Sequence, residues 1–194
     1  MVNNQKFGVR LKKLITKAGV IWHEPAEKAK RLIVPSFLVV LIMILIWFAA
    51  PVTETALSAN NDGVTYINAG KYQKALESFN KALELDPEFA LAYNNRGWSY
   101  LELGHFDKAI IDCTKAIELD PTLALAYSNR GLAYIHLGEY VQAIADCSRA
   151  LEIDPGLALA HSNRGQAYIN MGKYEEAIID LDKAVELDPG LAGK

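Results

Sequence analysis

The chain has few of the residues from which catalytic and metal-binding sites are usually built. Its 194 residues include two cysteines and four histidines, and the histidines show no metal-ligand spacing. The sequence also lacks a phosphate-binding loop and a recognisable nucleophile motif. It therefore predicts a protein that is not an enzyme and that needs neither a metal ion nor a cofactor.

Charged residues are missing from Leu32 to Thr53. The 19 residues from Leu32 to Ala50 would form a helix of about 28 Å at ~1.5 Å per residue, close to the ~30 Å thickness of a bilayer core. We therefore predict a single transmembrane anchor over residues 32–52. A cleaved signal peptide is the alternative, but its apolar region is normally ~7–15 residues long and follows a short basic start. Here 31 residues precede the apolar run.

Charge is divided unevenly between the two sides of this apolar run. Residues 1–31 carry eight Lys/Arg against two Glu, a net of +6, and residues 54–194 carry twelve Lys/Arg against 21 Asp/Glu, a net of −9. Basic flanks stay on the cytoplasmic side of a membrane, so we predict a cytoplasmic N-terminus and an extracytoplasmic C-terminal part. Because that part is acidic, it is a poor candidate for binding nucleic acid.

The basic segment of residues 1–31 also has an apolar face. Helical spacing relates six of its apolar residues, which are Phe7, Leu11, Leu14, Ile15, Ala18 and Trp22. As an amphipathic helix, the segment would lie on an anionic cytoplasmic leaflet. As a solvated tail, it would only set the topology, and the sequence leaves both interpretations open.

The rest of the chain is a repeat with a period of 34 residues. The dipeptide Asp-Pro recurs at 86–87, 120–121, 154–155 and 188–189 without insertion or deletion. The spacing divides residues 56–191 into four units: 56–89, 90–123, 124–157 and 158–191. A fixed period of this length is typical of stacked helical hairpins.

Small residues recur in register within the units. The eighth position of every unit is glycine (Gly63, Gly97, Gly131 and Gly165). Glycine inside a helix costs about 1 kcal/mol relative to alanine, so four in register indicate that two helices approach closely there. A second glycine at the fifteenth position is expected to end the first helix in a left-handed conformation. The Asp-Pro dipeptide is expected to end the second helix.

Three further positions are the same in every unit: tyrosine at position eleven (Tyr66, Tyr100, Tyr134 and Tyr168), alanine at position twenty (Ala75, Ala109, Ala143 and Ala177) and alanine at position twenty-seven (Ala82, Ala116, Ala150 and Ala184). With these residues, the glycines and the proline in register, residues 56–191 closely resemble the tetratricopeptide repeat (TPR) family. The resemblance implies an all-α fold, in which the transmembrane helix is followed by a four-unit TPR superhelix, a right-handed solenoid. It also implies that the first helix of each unit lines a concave groove, and that the groove binds a protein or peptide and performs no chemistry.

In the family, positions two, five, six, nine, twelve and thirteen tend to face this groove. From positions five, six, nine and thirteen of units two to four, we predict the groove residues Asn94, Asn95, Trp98, Glu102, Ser128, Asn129, Leu132, His136, Ser162, Asn163 and Gln166. An asparagine row could hold the backbone of an extended peptide, because each amide offers donors and an acceptor. The alternative is that the row belongs to the scaffold. Trp98 is the predicted anchor, since tryptophan is enriched at binding hot spots.

One known type of TPR groove is not expected here. Chaperone-binding members of the family hold a terminal carboxylate with groove lysines and arginines. The matching places in this chain hold uncharged residues, such as Asn94, Leu125 and Leu159. We therefore do not expect a carboxylate clamp.

Arginine at position seven occurs together with aspartate at position twenty-three in units two to four. The co-occurrence predicts three structural ion pairs: Arg96 with Asp112, Arg130 with Asp146, and Arg164 with Asp180. An arginine row that binds an anionic ligand is the alternative. Cys113 and Cys147 share position twenty-four, and stacked helices lie ~8–10 Å apart. A disulfide needs Cα atoms within ~7 Å, so we expect small buried thiols instead.

Two functions and a weaker third follow from these patterns. The first is an anchored scaffold or adaptor in an assembly, secretion or envelope complex. The second is a receptor or chaperone-like subunit that binds client peptides transiently, and the third is an accessory subunit of a membrane enzyme. Unit four also keeps apolar residues on its last helix (Ile178, Leu181, Val185 and Leu187). We expect this edge to support a homodimer.

Overall fold

The computed structural model describes residues 55–192, which form eight α-helices and a terminal 3-10 turn. The helices are α1 (55–68), α2 (Tyr72–Leu85), α3 (Ala90–Glu102), α4 (Phe106–Leu119), α5 (Ala124–Leu137), α6 (Tyr140–Ile153), α7 (Ala158–Asn170) and α8 (Tyr174–Leu187), and the turn is Pro189–Leu191. The predicted basic tail of 1–31 and the predicted anchor of 32–52 lie outside the described residues. Within 55–192, no helix combines the length and apolar character needed to cross a bilayer.

Both predicted helix terminators are confirmed. Four glycines (Gly70, Gly104, Gly138 and Gly172) have φ between 67° and 78° and separate the first helix of each hairpin from the second. Each second helix is followed directly by an aspartate, and the proline after it disfavours helical geometry at that aspartate. Asp120, for example, has φ −136° and accepts a 2.9 Å hydrogen bond from the backbone N–H of Thr122. These turns return the chain to start the next hairpin.

The two helices of each hairpin touch at the eighth-position glycine. A Cβ built on Gly97 would lie 2.8 Å from Cys113 Sγ, and one on Gly131 would lie 2.7 Å from Cys147 Sγ. Alanines at positions twenty and twenty-seven, such as Ala109 and Ala116, are fully buried beside this contact. The glycine therefore makes room for a bulkier side chain from the facing helix.

The two cysteines are buried and unpaired, as predicted. Burial raises the pKa of each thiol, Cys113 and Cys147 alike, to about 12. A thiol that stays protonated is a poor nucleophile, so both cysteines act as small core residues.

The hairpins stack so that the first helices form an inner layer. Among helices α2 to α8, the first helices contact each other in succession (α3 with α5, α5 with α7), whereas the second helices contact only first helices. Helices on the inside of a curve are closer together than those on the outside, so the first helices line the concave side. The predicted all-helical TPR-like superhelix is confirmed over the described residues.

Substituting Gly131 with alanine tests the close approach. The gain of about 1 kcal/mol in helix propensity opposes an overpacking cost of ~1–3 kcal/mol. We expect Gly131→Ala to lower the free energy of unfolding by about 1 kcal/mol, measured by urea denaturation. Adding Cys147→Ala should restore part of the loss, because it removes the atom that the new methyl meets. If Gly131→Ala alone raises the free energy of unfolding, the two helices have space for a Cβ at this position.

Candidate functional site

The concave face is built from four positions of each first helix. Positions two, six, nine and thirteen follow the spacing i, i+4, i+7 and i+11, which places them on one helical face. In α3 they hold Leu91, Asn95, Trp98 and Glu102. Because the units stack in register, each position forms a row across the first helices.

The leucine row at position two is exposed in every unit. Leu57, Leu91, Leu125 and Leu159 keep between 40 % and 51 % of their surface accessible. The family resemblance places position two in the groove, but its residues Leu125 and Leu159 were noted from the sequence only as places without a cation. The usable signal was the recurrence of one apolar residue type at a groove position in all four units.

The asparagine row joins successive units. Asn95 Nδ2 donates to Asn60 Oδ1 at 3.1 Å, and Asn129 Nδ2 donates to Asn94 Oδ1 at 2.9 Å. Asn163 Nδ2 donates to Ser128 Oγ at 3.2 Å. Position six of one unit therefore binds position five of the unit before it, and we call these bonds the amide ladder.

Burial limits what the amide ladder can offer a ligand. Asn94, Asn129 and Ser128 keep 4 %, 7 % and 1 % of their surface accessible. Asn95 and Asn163 are half-buried, as is Ser162 at position five of unit four. The structure therefore places the middle of the row between the helices, where it bridges the units.

Position nine carries a second apolar row, formed by Val64, Trp98 and Leu132, all half-buried. Trp98 and Leu132 pack against a buried cluster that contains Leu101. The predicted anchor Trp98 thus contributes to the core and keeps an accessible edge. The row is interrupted in unit four by the exposed Gln166.

Position thirteen contacts the aromatic residue that starts the second helix of the preceding unit. The ring of His136 stacks on Phe106, with centroids 4.4 Å apart and planes 5° apart. Between units one and two, a hydrogen bond to Glu102 raises the pKa of Tyr72. His136 therefore also contributes to the packing of one hairpin on the next.

The three Arg–Asp pairs are present with the same geometry. Each arginine Nε lies 2.7 Å from one aspartate oxygen and each Nη2 lies 2.8 Å from the other (Arg96 with Asp112, Arg130 with Asp146, Arg164 with Asp180). The hydrogen bonds raise the pKa of all three arginines. These guanidinium groups are bound inside the repeats rather than offered as a row to an anion.

Each arginine also reaches the preceding unit. Arg130 Nη1 donates to Thr114 Oγ1 at 3.0 Å, and the equivalent atoms of Arg96 and Arg164 bind Asn80 and Ser148. One side chain thus joins three helices. The acceptors at position twenty-five were not identified from the sequence, although Asn, Thr and Ser recur there.

Unit four contains one variation that was not recognised from the sequence. His161 replaces the tyrosine found at position four of units two and three, and its Nδ1 lies 2.9 Å from Asp180 Oδ1. Burial opposes ionisation of Asp180, but hydrogen bonds from Arg164 and His161 outweigh it and lower the pKa of that carboxyl. Asp180 therefore remains a charged acceptor.

Comparisons with known proteins agree with this architecture. The family model described as "Tetratricopeptide repeat" matches residues 90–123, 124–157 and 158–191, and the "TPR repeat" model matches 63–104. A comparison with curated proteins finds no match.

Solved structures with a similar fold include three informative examples. The MamA protein is 31 % identical with a TM-score of 0.60, covering 76 % of this chain and 79 % of MamA. The second TPR domain of human RPAP3 in complex with the HSP70 peptide SGPTIEEVD is 31 % identical with a TM-score of 0.56, covering 59 % and 95 %. A thermophilic TPR protein of Thermus thermophilus is 24 % identical with a TM-score of 0.66, covering 70 % and 77 %, and supports the fold alone.

Removing one member of a buried pair should be costly. Asp146→Ala removes the carboxylate that pairs with Arg130, whose side chain is 19 % exposed. Removing one partner of a fully buried ion pair costs ~3–5 kcal/mol. With partial solvent access we expect a loss of about 2 kcal/mol in the free energy of unfolding. The control is Glu118→Ala, which breaks the exposed pair with Lys115 and should cost under ~0.5 kcal/mol. Equal losses would mean that the buried pairs contribute no more than surface pairs.

Proposed function

The chain belongs to the tetratricopeptide repeat family, and from this premise we propose that it is a non-enzymatic, membrane-anchored scaffold that binds a partner protein in its concave groove. The TPR fold and neighbours that bind peptides support protein or peptide binding. The observation that carries the proposal is the exposed leucine row beside a half-buried Trp98. A solvent-exposed apolar surface of this kind is typical of an interaction site.

The ligand should differ from that of the RPAP3 domain, which binds an acidic HSP70 peptide. In α3, α5 and α7 the only lysines or arginines are Arg96, Arg130 and Arg164. All three are bound to aspartates of their own hairpins. With no free lysine or arginine in these helices, the face has little to hold an acidic peptide or its terminal carboxylate.

A stable scaffold and a transient receptor differ in what co-purifies from native membranes. We expect a partner present in about equal amount to the chain and lost in the variant Gln166→Arg, which places bulk and charge on an exposed groove position. The matched control, Ile111→Arg, changes a side chain that is exposed on the second helix α4 and should keep the partner. Weak co-purification of many different proteins would favour the receptor-like alternative. Loss of the partner in both variants would show that the interaction does not depend specifically on the groove.

We place the chain in the membrane by a single helix over 32–52, with residues 1–31 in the cytoplasm and the repeats outside it. The proposal rests on the uncharged run from Leu32 to Thr53 and on the eight basic residues before it. A reporter that is active only outside the cytoplasm, fused after Lys194, should be active. Activity of a cytoplasmic reporter at the same place would reverse the topology.

The last helix supports a further proposal of self-association. Tyr174, Ile178 and Ile179 of α8 are 62 %, 59 % and 71 % exposed. Leu181, by contrast, is half-buried and packs on Gly165. It is covered within its own hairpin, so it is not part of the surface that we propose for the dimer.

The polypeptide of residues 54–194 should sediment as a dimer and become monomeric on Ile178→Glu. Because Glu175, Asp182 and Glu186 lie on the same helix, two copies would repel electrostatically, and salt should strengthen the dimer by screening them. A monomer at high concentration and high salt would refute self-association through this edge.

A further inference from the structure

The leucine row forms an apolar strip that the fold of a single unit does not require. Leu57, Leu91, Leu125 and Leu159 lie at the same position of four successive first helices and stay 40 % to 51 % exposed. One exposed leucine needs no explanation. Four in register, on helices that stack ~8–10 Å apart, make a continuous strip along the concave side.

The second apolar row runs parallel to the first. Trp98 and Leu132 lie seven residues after Leu91 and Leu125, which is about 10 Å along each helix at ~1.5 Å per residue. The amide ladder lies between the two rows. A ligand of helical width, ~10 Å across, would therefore touch both rows and pass over the amides.

The amide ladder decides between an extended and a helical ligand. An extended peptide presents unpaired backbone N–H and C=O groups, which need partners when they are buried. Asn94 and Asn129 are buried and bound to neighbouring units, so the middle of the groove offers few such partners. An α-helix satisfies its own backbone and needs only apolar contact, which the two rows supply.

Charge restricts the ligand further. The arginines of the first helices are held by aspartates, and the acidic group of the concave stripes in α3, α5 and α7 is Glu102. Residues 54–194 carry a net charge of −9. A basic partner is therefore favoured over an acidic one.

We propose that the groove binds an amphipathic α-helix of a partner protein, with its apolar stripe on Leu91, Leu125, Trp98 and Leu132 and with lysines or arginines at its flanks. This inference rests on the groove being the partner site. Residues i and i+7 of a helix are ~10.5 Å apart, close to the spacing of successive leucines in the row. The mode of recognition is a helix in a groove, with anchors spaced at two turns.

The test uses the full chain in phosphatidylcholine nanodiscs and three synthetic 18-residue probe peptides. The first contains leucine at helical spacing with lysine elsewhere. The second has the same composition with leucine and lysine alternating, which favours an extended strand, and the third replaces every lysine of the first by glutamate. Binding is measured by fluorescence anisotropy of labelled peptide, with empty nanodiscs measured alongside to subtract lipid binding.

We expect the helical lysine peptide to bind the wild-type chain at least about tenfold more tightly than either other peptide. Equal or tighter binding of the alternating peptide would overturn the helical ligand. Equal or tighter binding of the glutamate peptide would overturn the charge assignment.

Two double variants, one on the first helices and one on the second, locate the binding. Leu91→Ser with Leu125→Ser should weaken binding of the helical peptide about tenfold or more. Ile111→Ser with Val141→Ser removes apolar side chains that are even more exposed, on the second helices α4 and α6, and should leave binding unchanged. Circular dichroism confirms that each variant is folded. An equal loss of peptide binding in both double variants would show that the peptide does not bind on the leucine row.

The outcome separates this inference from the proposed function. If no probe peptide binds while the native partner is still lost in Gln166→Arg, the groove is a partner site and the helical ligand is wrong. If neither the probes nor a native partner depend on the groove, both proposals fail.

Discussion

The close approach of two helices at the eighth-position glycine is the constraint on which the repeat architecture depends. At Gly97 and Gly131 there is no space for a Cβ, because a cysteine sulfur from the facing helix occupies it. Fully buried alanines such as Ala109 and Ala143 keep the same interface narrow. A narrow hairpin places the first helices within reach of each other, and the bonds between units follow from that geometry.

Polar side chains then set the register in which the hairpins stack. Arg130 binds Asp146 in its own hairpin and Thr114 in the preceding one. Asn129 binds Asn94 on the inner side of the same stack. Buried polar groups cost free energy unless they are paired, so a shift of one unit against the next would leave several without partners. Such networks favour one arrangement over its neighbours more than they add stability.

The same bonds shape the binding face. Amides and guanidinium groups that hold the units together are not available to ligands, so leucine, valine and tryptophan supply the apolar part of the accessible groove. A surface of this kind holds its partner mainly by shape and apolar contact, and the net charge of −9 on residues 54–194 adds a preference for basic partners. It is therefore suited to a partner whose backbone N–H and C=O groups are already hydrogen-bonded within its own helix.

The hairpins could be predicted from the sequence, because the residues that start, stop and pack them act locally. The Asp-Pro spacing located the ends of the second helices, and the glycine at the fifteenth position located the turns between helices. The pairing of Arg130 with Asp146 could also be inferred from co-occurrence, since both residues belong to one hairpin. The substitution of His161 for tyrosine was visible in the sequence, but its contact with Asp180 was not.

Contacts between units became visible only in the folded array. Asn129 meets Asn94 across 35 residues, and the periodicity alone was equally consistent with an asparagine row turned towards a ligand. Leu181 and Ile178 looked alike in the sequence, yet one packs on Gly165 and the other is 59 % exposed. Local patterns specify which face of a helix is apolar. Which groups on that face find partners depends on the stacking of one hairpin on the next, and the stacking is a property of the whole array.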